Sequence, residues 1–224
     1  MDMWIDSRPR VLPTFTTYPI AKRIMDVTLC LLILPLALPV CLLCALAIYL
    51  ESGRPIFFIQ ERIGRGGRPF RMFKFRTMWA NLDDSQHRLF MSAYVKGQPL
   101  ACKADAKVNK PFHASQLTRV GRILRKTSLD ELPQLLNVLN GDMSIVGPRP
   151  NVPWEVAEYR LWHHERLEVL PGITGLAQVR GRSGLTFNTI VRHDVEYVAN
   201  ASIALDIRIL YWTVCSIFLG EGAL

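Results

Sequence analysis

The hydrophobic positions divide the chain into one long apolar segment followed by short amphipathic elements. No charged residue occurs in residues 27–50, a run longer than the roughly 20 apolar residues that a membrane-spanning helix needs. Pro35 and Pro39 lie near its middle, and a proline inside a helix removes a backbone donor and crowds the preceding turn. We predict a re-entrant membrane helix-break-helix over residues 22–52. The alternative is a kinked helix that crosses the bilayer, since spanning helices tolerate prolines.

The charges on the two sides of this segment favour the re-entrant arrangement. Lys22 and Arg23 precede it, and Arg54 and several further arginines follow it. Positive charge marks the cytoplasmic end of a membrane segment, and here both ends carry it. Asp26 falls in the first turn, where a carboxylate suits a helix N-terminus or can pair with a cation at the interface.

Alternation of apolar and basic residues predicts a β-hairpin after the membrane segment. Residues 55–60 and 70–76 have the composition of strands, and Gly64, Gly66 and Gly67 mark a turn between them. Lys74 and Arg76 are alternate positions of the second strand. Their charges either are solvated or face a phosphate group.

The remainder of the chain has the periodicity of helices. We predict helices over 84–94, 117–126, 130–139, 152–168, 189–197 and 204–219, with a loop over 96–115. Asn140 and Gly141 are the expected stop signal of the third of these helices. Aromatic residues in the last helix suit either the membrane interface or the core. The predicted fold class is therefore α+β: mostly helical, with the re-entrant segment, a small β-hairpin and interfacial amphipathic helices.

Composition limits the possible partners. The 224 residues carry a formal charge of +8, which favours anionic partners such as acidic lipids or phosphorylated substrates. Zinc-finger spacings and aromatic RNA-binding signatures are absent from the sequence, so we do not expect nucleic acid as a partner. The five cysteines are an odd number and fit a reducing cytoplasm. Cys41 and Cys44 lie inside the apolar run and are interpreted as small buried hydrophobes.

An acidic pair, Asp130 and Glu131, is the candidate for chemistry. Adjacent carboxylates usually lie on a solvated surface. Here Pro133 lacks an N–H and fits best in the first turn of a helix, which places Asp130 at or near the N-cap. Ser128 and Glu131 also match the letters of a capping box, but that register would put Pro133 beyond the free donors.

The surroundings of the acidic pair are cationic. Arg125 lies just before it, and Arg149 sits in a turn between Pro148 and Pro150. Arginine matches the geometry of phosphate with two donors at once. An ionised Asp130 could attack phosphorus, and Glu131 could hold Mg²⁺, which prefers oxygen ligands. These residues predict chemistry on a phosphorylated substrate.

Several ordered motifs resemble one known family. The strongest are Ser128-Leu129-Asp130-Glu131-Leu132-Pro133-Gln134, Gly141-Asp142-Met143-Ser144-Ile145-Val146-Gly147-Pro148-Arg149-Pro150 and Pro171-Gly172-Ile173-Thr174-Gly175. Further markers are Lys22-Arg23-Ile24-Met25-Asp26, Gln60-Glu61-Arg62-Ile63-Gly64 and Phe73-Lys74-Phe75-Arg76-Thr77-Met78. Together they make the sequence similar to the bacterial sugar transferases, the small monotopic phosphoglycosyl transferases.

The resemblance implies a two-step reaction on a nucleoside diphosphate sugar, with a UDP-hexose as the expected donor. Asp130 would take the sugar phosphate, and polyprenyl phosphate, such as undecaprenyl phosphate, would then receive it. Glu131 matches the glutamate associated with Mg²⁺. Four cations match basic positions of the family site and are assigned to phosphate contact: Lys74, Arg125, Arg149 and Arg182.

The resemblance also implies a location and a domain organisation. Residues 1–21 form an N-terminal segment, residues 22–52 the re-entrant helix, and residues 53–224 a catalytic domain at the cytoplasmic face of the bacterial inner membrane. Some members place Ser before the proline at the helix break, where this chain has Leu38. The product would begin polysaccharide or glycoconjugate assembly, and a homo-oligomer is possible. The competing hypothesis is a non-catalytic membrane scaffold that binds anionic lipid or a protein partner.

Overall fold

The computed structural model describes residues 17–79, 85–97, 116–181 and 185–218. The helices in chain order are α1 (Thr17–Ser52), α2 (Ser85–Lys96), α3 (Arg119–Thr127), α4 (Gln134–Asn140), α5 (Pro153–Val156), α6 (Leu176–Arg180), α7 (Phe187–Ala199) and α8 (Ile203–Phe218). The strands are β1 (Phe57–Ile63), β2 (Pro69–Phe75), β3 (Ser144–Val146) and β4 (Gly172–Thr174). Three 3₁₀ segments occupy Arg65–Gly67, Leu129–Glu131 and Leu161–Glu168. The described residues are mostly helical, as predicted.

The β-hairpin is confirmed. Strands β1 and β2 pair antiparallel, and Phe58 lies opposite Lys74. Gly66 and Gly67 in the connecting turn have φ values of 66° and 77°, a backbone conformation that glycine adopts at no steric cost. The hairpin thereby presents the Lys74 side chain to the helices that follow.

A second, unpredicted pair of strands lies behind the Pro148-Arg149-Pro150 turn. Strands β3 and β4 are parallel, with Ser144 opposite Gly172 and Val146 opposite Thr174. The backbones approach so closely that a Cβ atom on Gly172 would lie 2.1 Å from the nitrogen of Gly147. Only glycine fits such an approach, so β4 fixes where the turn after β3 begins.

The helix predictions have mixed outcomes. Helices α7 and α8 match the predicted segments, and α4 ends at Asn140 with Gly141 at a φ of 86°. The single helix predicted for 152–168 is wrong. Helix α5 ends at Val156, and Arg160 adopts extended backbone before the 3₁₀ segment Leu161–Glu168. The extended residue interrupts the α-helical pattern that the periodicity suggested. The predicted 96–115 loop falls almost entirely outside the described residues.

Helix α1 is continuous through Pro35 and Pro39. It is the one helix among the described residues that is long and apolar enough to cross a membrane. The structure does not confirm the predicted helix-break-helix, because helical geometry persists on both sides of each proline. The return of the chain through one leaflet therefore stays a prediction.

One narrow stripe attaches α1 to the rest of the protein. Its buried members recur at intervals of four or seven residues: Lys22, Asp26, Cys30, Ala37, Cys44 and Ile48. Leucines on the other faces are largely exposed; Leu32, Leu36 and Leu42 each expose at least 71% of their surface. Apolar side chains exposed over such a length need lipid or protein to cover them.

The two ends of α1 contact the same domain. Near the N-terminus, Lys22 lies 3.2 Å from Asp206 of α8, and Arg23 donates to the carbonyl of Leu139 at the end of α4. Asp26 accepts a hydrogen bond of 3.2 Å from the backbone N–H of Ile145 in β3. These bonds fix the first turns of α1 beside the strand that precedes the Arg149 turn.

The last turn of α1 caps another helix. The Glu51 carboxylate accepts hydrogen bonds of 2.7 and 2.9 Å from the N–H groups of Arg119 and Val120, the first residues of α3. A carboxylate at this point satisfies free donors and complements the helix dipole. Helix α3 therefore begins where α1 ends, and it leads directly to Asp130.

Asn137 joins α4 to the hairpin. Its side chain is fully buried, accepts from the N–H of Phe73 at 3.0 Å and donates to the carbonyl of Arg71 at 2.7 Å. The amide thus satisfies two backbone groups on the free edge of β2. Lys74 is held opposite the acidic pair through this contact.

Replacement of this amide should be costly. Asn137→Ala removes a fully buried side chain and leaves two partly buried backbone groups without their partner, and we expect a loss of about 3 kcal/mol in the free energy of unfolding. For a chain of this size that loss lowers the midpoint by about 10 °C. Asn200→Ala, at an exposed position, is the control and should change the midpoint by less than about 2 °C. Thermal unfolding in detergent, followed by circular dichroism, measures both, and equal midpoints would contradict the role of Asn137.

Candidate active site

The acidic pair lies in a short 3₁₀ turn between α3 and α4. Ser128 ends α3 with a φ of 57°, and the N–H of Glu131 bonds to the carbonyl of Ser128 at 3.2 Å. Asp130 is therefore inside the turn and not at the N-cap, so that prediction is wrong. The capping-box alternative is also wrong, because the Ser128 side chain makes no capping hydrogen bond. Pro133 comes immediately before α4.

Glu131 is held by two cations on one oxygen. Its Oε1 atom accepts from Lys74 Nζ at 2.7 Å and from Arg149 Nη1 at 3.2 Å. Burial opposes ionisation of this carboxyl, but the charges of Lys74 and Arg149 outweigh it and hold its pKa at about 2. Glu131 is thus ionised at every physiological pH, and it fixes both cations beside Asp130.

Asp130 has a different environment from its neighbour. The residue is only 9% exposed. Burial raises the pKa of its carboxyl, the Glu131 charge raises it further, and the cations Lys74, Arg125 and Arg149 act in the opposite direction. Among the described residues no group donates a hydrogen bond to this carboxylate. A carboxylate that is poorly solvated and surrounded by cations is suited to attack an electrophile.

Arg125 approaches Asp130 from the end of α3. Its Nε atom donates to Thr77 Oγ1 at 3.0 Å. Burial lowers the pKa of the guanidinium, and the nearby Asp130 charge counteracts that effect. The hydrogen bond to Thr77 orients the guanidinium at the site, a contact that the sequence did not reveal.

One predicted cation, Arg76, is not part of this cluster. Arg76 is 7% exposed, and its guanidinium donates to the carbonyls of Ser52 at 2.7 Å and Gly53 at 2.9 Å. It stabilises the C-terminus of α1, where carbonyl groups lack partners. Arg182 lies outside the described residues. Pro35 and Pro39 are in the apolar helix and not at the acidic pair.

The acidic pair has oxygen atoms that suit Mg²⁺. Among the described residues there is no cluster of three metal-ligating side chains. Mg²⁺ in phosphate-handling sites is commonly bound by one or two carboxylates together with the phosphates of the substrate. The described cations bond Oε1 of Glu131, and its Oε2 atom and the Asp130 carboxylate are the donors that fit such an ion.

The chain is similar to proteins that are named as sugar transferases. The chain is 39% identical to the galactosyl transferase CpsE of Streptococcus agalactiae over 91% of its own length and 43% of that protein. It is 38% identical to the uncharacterized sugar transferase EpsL of Bacillus subtilis, over 91% and 90% of the two lengths.

A third relative has a more specific name. The chain is 41% identical to the UDP-glucose:undecaprenyl-phosphate glucose-1-phosphate transferase of Caulobacter vibrioides, over 90% of its own length and 71% of that protein. The family model described as bacterial sugar transferase matches residues 17–220. Because this match covers nearly the whole chain, and includes the acidic pair, the Arg149 turn and helix α1, the protein belongs to the bacterial sugar transferase family.

Proposed function

We propose that this protein transfers a sugar-1-phosphate from a nucleoside diphosphate sugar, a UDP-hexose, to polyprenyl phosphate. The observation that carries the proposal is the contrast within the acidic pair: cations hold Glu131, whereas Asp130 has no described hydrogen-bond donor. The name of the Caulobacter relative supports a UDP-sugar and undecaprenyl phosphate as substrates.

In the first step, a carboxylate oxygen of Asp130 attacks the β-phosphorus of the nucleotide sugar. The bond from that phosphorus to the bridging oxygen breaks, and the nucleoside monophosphate leaves with the bonding electrons. Asp130 then carries the sugar phosphate as an acyl phosphate. Lys74, Arg125 and Arg149 offset the charge of the diphosphate and reduce its repulsion of the attacking carboxylate.

In the second step, a phosphate oxygen of the polyprenyl phosphate attacks the same phosphorus. The acyl phosphate bond breaks, Asp130 returns to a free carboxylate, and the product is a polyprenyl diphosphate sugar. Both steps use the same cations, because both spread negative charge over the same phosphoryl oxygens. Bound Mg²⁺, held by Glu131 and Asp130, would supply further charge neutralisation for the diphosphate.

Glu131 has a second part in the proposal. Lys74 is almost buried, and burial lowers the pKa of its ammonium group while the Glu131 charge raises it. Without the Glu131 carboxylate the pKa of Lys74 would be lower, and less of the lysine would carry its charge. Glu131 thus maintains the charge and the position of the cations that receive the substrate.

Membrane attachment follows from α1. Both of its ends bond to the same catalytic domain, through Lys22 and Arg23 at one end and Glu51 at the other. We propose that both ends lie on the cytoplasmic side, with the apolar middle of the helix re-entering one leaflet. The soluble nucleotide sugar and the lipid phosphate can then reach Asp130 from the same surface.

A non-catalytic scaffold is the competing function. It would use the same apolar helix and the same cations to bind anionic lipid. It does not require a buried carboxylate that lacks a described donor, nor an adjacent one fixed between two cations. Loss of Asp130 separates the two hypotheses, because a scaffold would tolerate it.

Asp130→Asn should abolish the reaction. We expect the release of nucleoside monophosphate to fall at least about 1,000-fold, while membrane insertion is unchanged. Mass spectrometry of the wild-type protein, incubated with nucleotide sugar but no acceptor, should show the added sugar phosphate, and the variant should not. Glu158→Gln, in the ion pair with Lys96, is the control with an intact acidic pair. Full turnover by Asp130→Asn would exclude the covalent mechanism.

Protonation of the proposed nucleophile should produce an acid limb in the pH–rate profile, that is, a fall in rate at low pH. Asp130 attacks only when ionised, so kcat/KM should fall as pH drops through its raised pKa, whereas Glu131, with a pKa of about 2, stays ionised. Arg125→Gln removes a charge that lowers the pKa of Asp130 and leaves Glu131 with its two cations, so the remaining activity should have its acid limb at higher pH. Glu158→Gln, in a partly exposed ion pair, should leave the limb in place. A limb that moves downward in Arg125→Gln would contradict this assignment.

Cysteine labelling tests the topology. Thr17→Cys and Arg54→Cys place exposed thiols at the two ends of α1, in a background without the native cysteines. In sealed vesicles, a membrane-impermeant maleimide should label both positions from the same side, because both ends lie on the cytoplasmic face. Labelling of the two positions from opposite sides would show a spanning helix and overturn the proposed topology.

A further inference from the structure

The turn that carries Arg149 has an unusual set of hydrogen-bonding groups. Pro148 and Pro150 have no N–H, so the segment offers few donors and is fixed mainly through its carbonyl oxygens. Four successive carbonyls accept hydrogen bonds. The donors are Gly172 N–H to Pro148 at 2.9 Å, Arg166 to Arg149 at 2.8 Å, Arg62 to Pro150 at 3.0 Å and Ile63 N–H to Asn151 at 2.9 Å.

Arg166 is buried behind this turn. It is 3% exposed, and its Nη2 atom lies 2.6 Å from the Asp194 carboxylate of α7, which is equally buried. The same guanidinium donates to the Arg149 carbonyl, to Asn151 Oδ1 and to the hydroxyl of Tyr159. One planar group therefore links α7 to Arg149 and Asn151, on the two sides of Pro150.

Arg62 holds the other side of the turn. Its Nη1 atom donates to the Pro150 carbonyl, and its Nη2 atom donates to Gln60 Oε1 at 2.6 Å. Burial and the nearby Arg149 charge lower the pKa of Arg62 to about 10, so it remains charged at neutral pH. Like charges repel, and the Arg62 charge favours an Arg149 guanidinium that points away from it and toward Glu131.

We propose that Arg166, paired with Asp194, and Arg62 are positioning residues that fix the backbone of Arg149 so that its guanidinium meets Glu131 and the phosphate of the substrate. The proposal rests on the proposed function for that phosphate contact. Neither arginine bonds the acidic pair in the structure. Their effect on the reaction passes through the two carbonyl groups that they hold.

A buried ion pair does not by itself indicate that its two residues stabilise the fold. The cost of removing two charges from water can exceed their attraction, and uncharged replacements of both partners are often tolerated in the fold. Arg166 and Asp194 can therefore be replaced together without leaving a charge unpaired. The consequence should appear in the position of Arg149, where a displacement of 1 Å can cost about 100-fold in rate.

The test uses matched variants. The pair Arg166→Gln with Asp194→Asn removes the buried charges together, and Arg62→Gln removes the second positioning arginine. Arg166→Lys keeps a charge for Asp194 but has one nitrogen, which cannot reproduce the planar set of contacts. The control is Lys96→Gln with Glu158→Gln, which removes an exposed ion pair of 3.1 Å in the same domain.

Kinetics distinguish positioning from general destabilisation. Assays use UDP-glucose, UDP-galactose and UDP-N-acetylgalactosamine with undecaprenyl phosphate. We expect kcat to fall about 10- to 100-fold in the paired variant and less in Arg166→Lys, with KM for the nucleotide sugar within about 3-fold. In an Arg149→Gln background the same substitutions should lower kcat further by less than about 3-fold, because the arginine that they position is already absent. Full additivity would overturn the proposal.

Hydrogen exchange tests the positioning role of Arg166 and Arg62 without any turnover. The amides of Gly147, Arg149, Asn151 and Val152 should exchange faster in the paired variant and in Arg62→Gln than in the control, while the α8 amides keep their rates. Unchanged exchange in this segment overturns the proposal. Asp130→Asn is assayed in parallel, and turnover in that variant would refute the proposed function. The exchange rates test the positioning role of Arg166 and Arg62 independently of that result.

Discussion

The attachment of α1 to the catalytic domain is the constraint on which the rest of the structure depends. An apolar helix of 36 residues contacts its own protein through one stripe and leaves its leucines exposed. The polar members of that stripe are at the N-terminal end, where Lys22 lies between Asp26 and Asp206. Buried charges of this kind persist only where they are paired. They therefore fix the helix in one register against β3 and α8, and they set the position of the acidic pair relative to the apolar helix.

The two carboxylates of the site solve opposite electrostatic problems. A cluster of cations strong enough to bind a diphosphate would repel itself, and Glu131 prevents this by accepting from Lys74 and Arg149 on one oxygen. Asp130 then lies close to the same cations, but none of the described ones donates a hydrogen bond to it. Burial raises its pKa, which is the expected consequence of keeping a carboxylate poorly solvated. The arrangement holds the cations in place and leaves the Asp130 carboxylate without a hydrogen-bond donor among the described residues.

Sequence patterns predicted those parts of the fold that depend on local interactions. The hairpin turn, the end of α4 at Gly141 and the amphipathic helices follow from residue type and period. The sequence also singled out the acidic pair and Arg149, and the structure places Arg149 against Glu131. The parallel pair β3–β4 was missed because each strand has only three residues and the contact depends on distant glycines. The N-cap prediction for Asp130 failed because Ser128 already turns the chain before it. Such outcomes depend on tertiary geometry, which a periodic pattern does not contain.

The arginines show why composition alone could not define the site. Arg76 ends a helix, Arg166 pairs with Asp194 and holds a carbonyl, and among the arginines that the structure describes Arg125 and Arg149 are the two near the acidic pair. The chain's formal charge of +8 therefore overstates the charge available to a substrate. Arginine suits all these roles because its five donors lie in one plane and can satisfy several acceptors at once. In the Pro148-Arg149-Pro150 turn, which has few donors of its own, that property lets the buried Arg166 hold the backbone while the Arg149 guanidinium contacts Glu131.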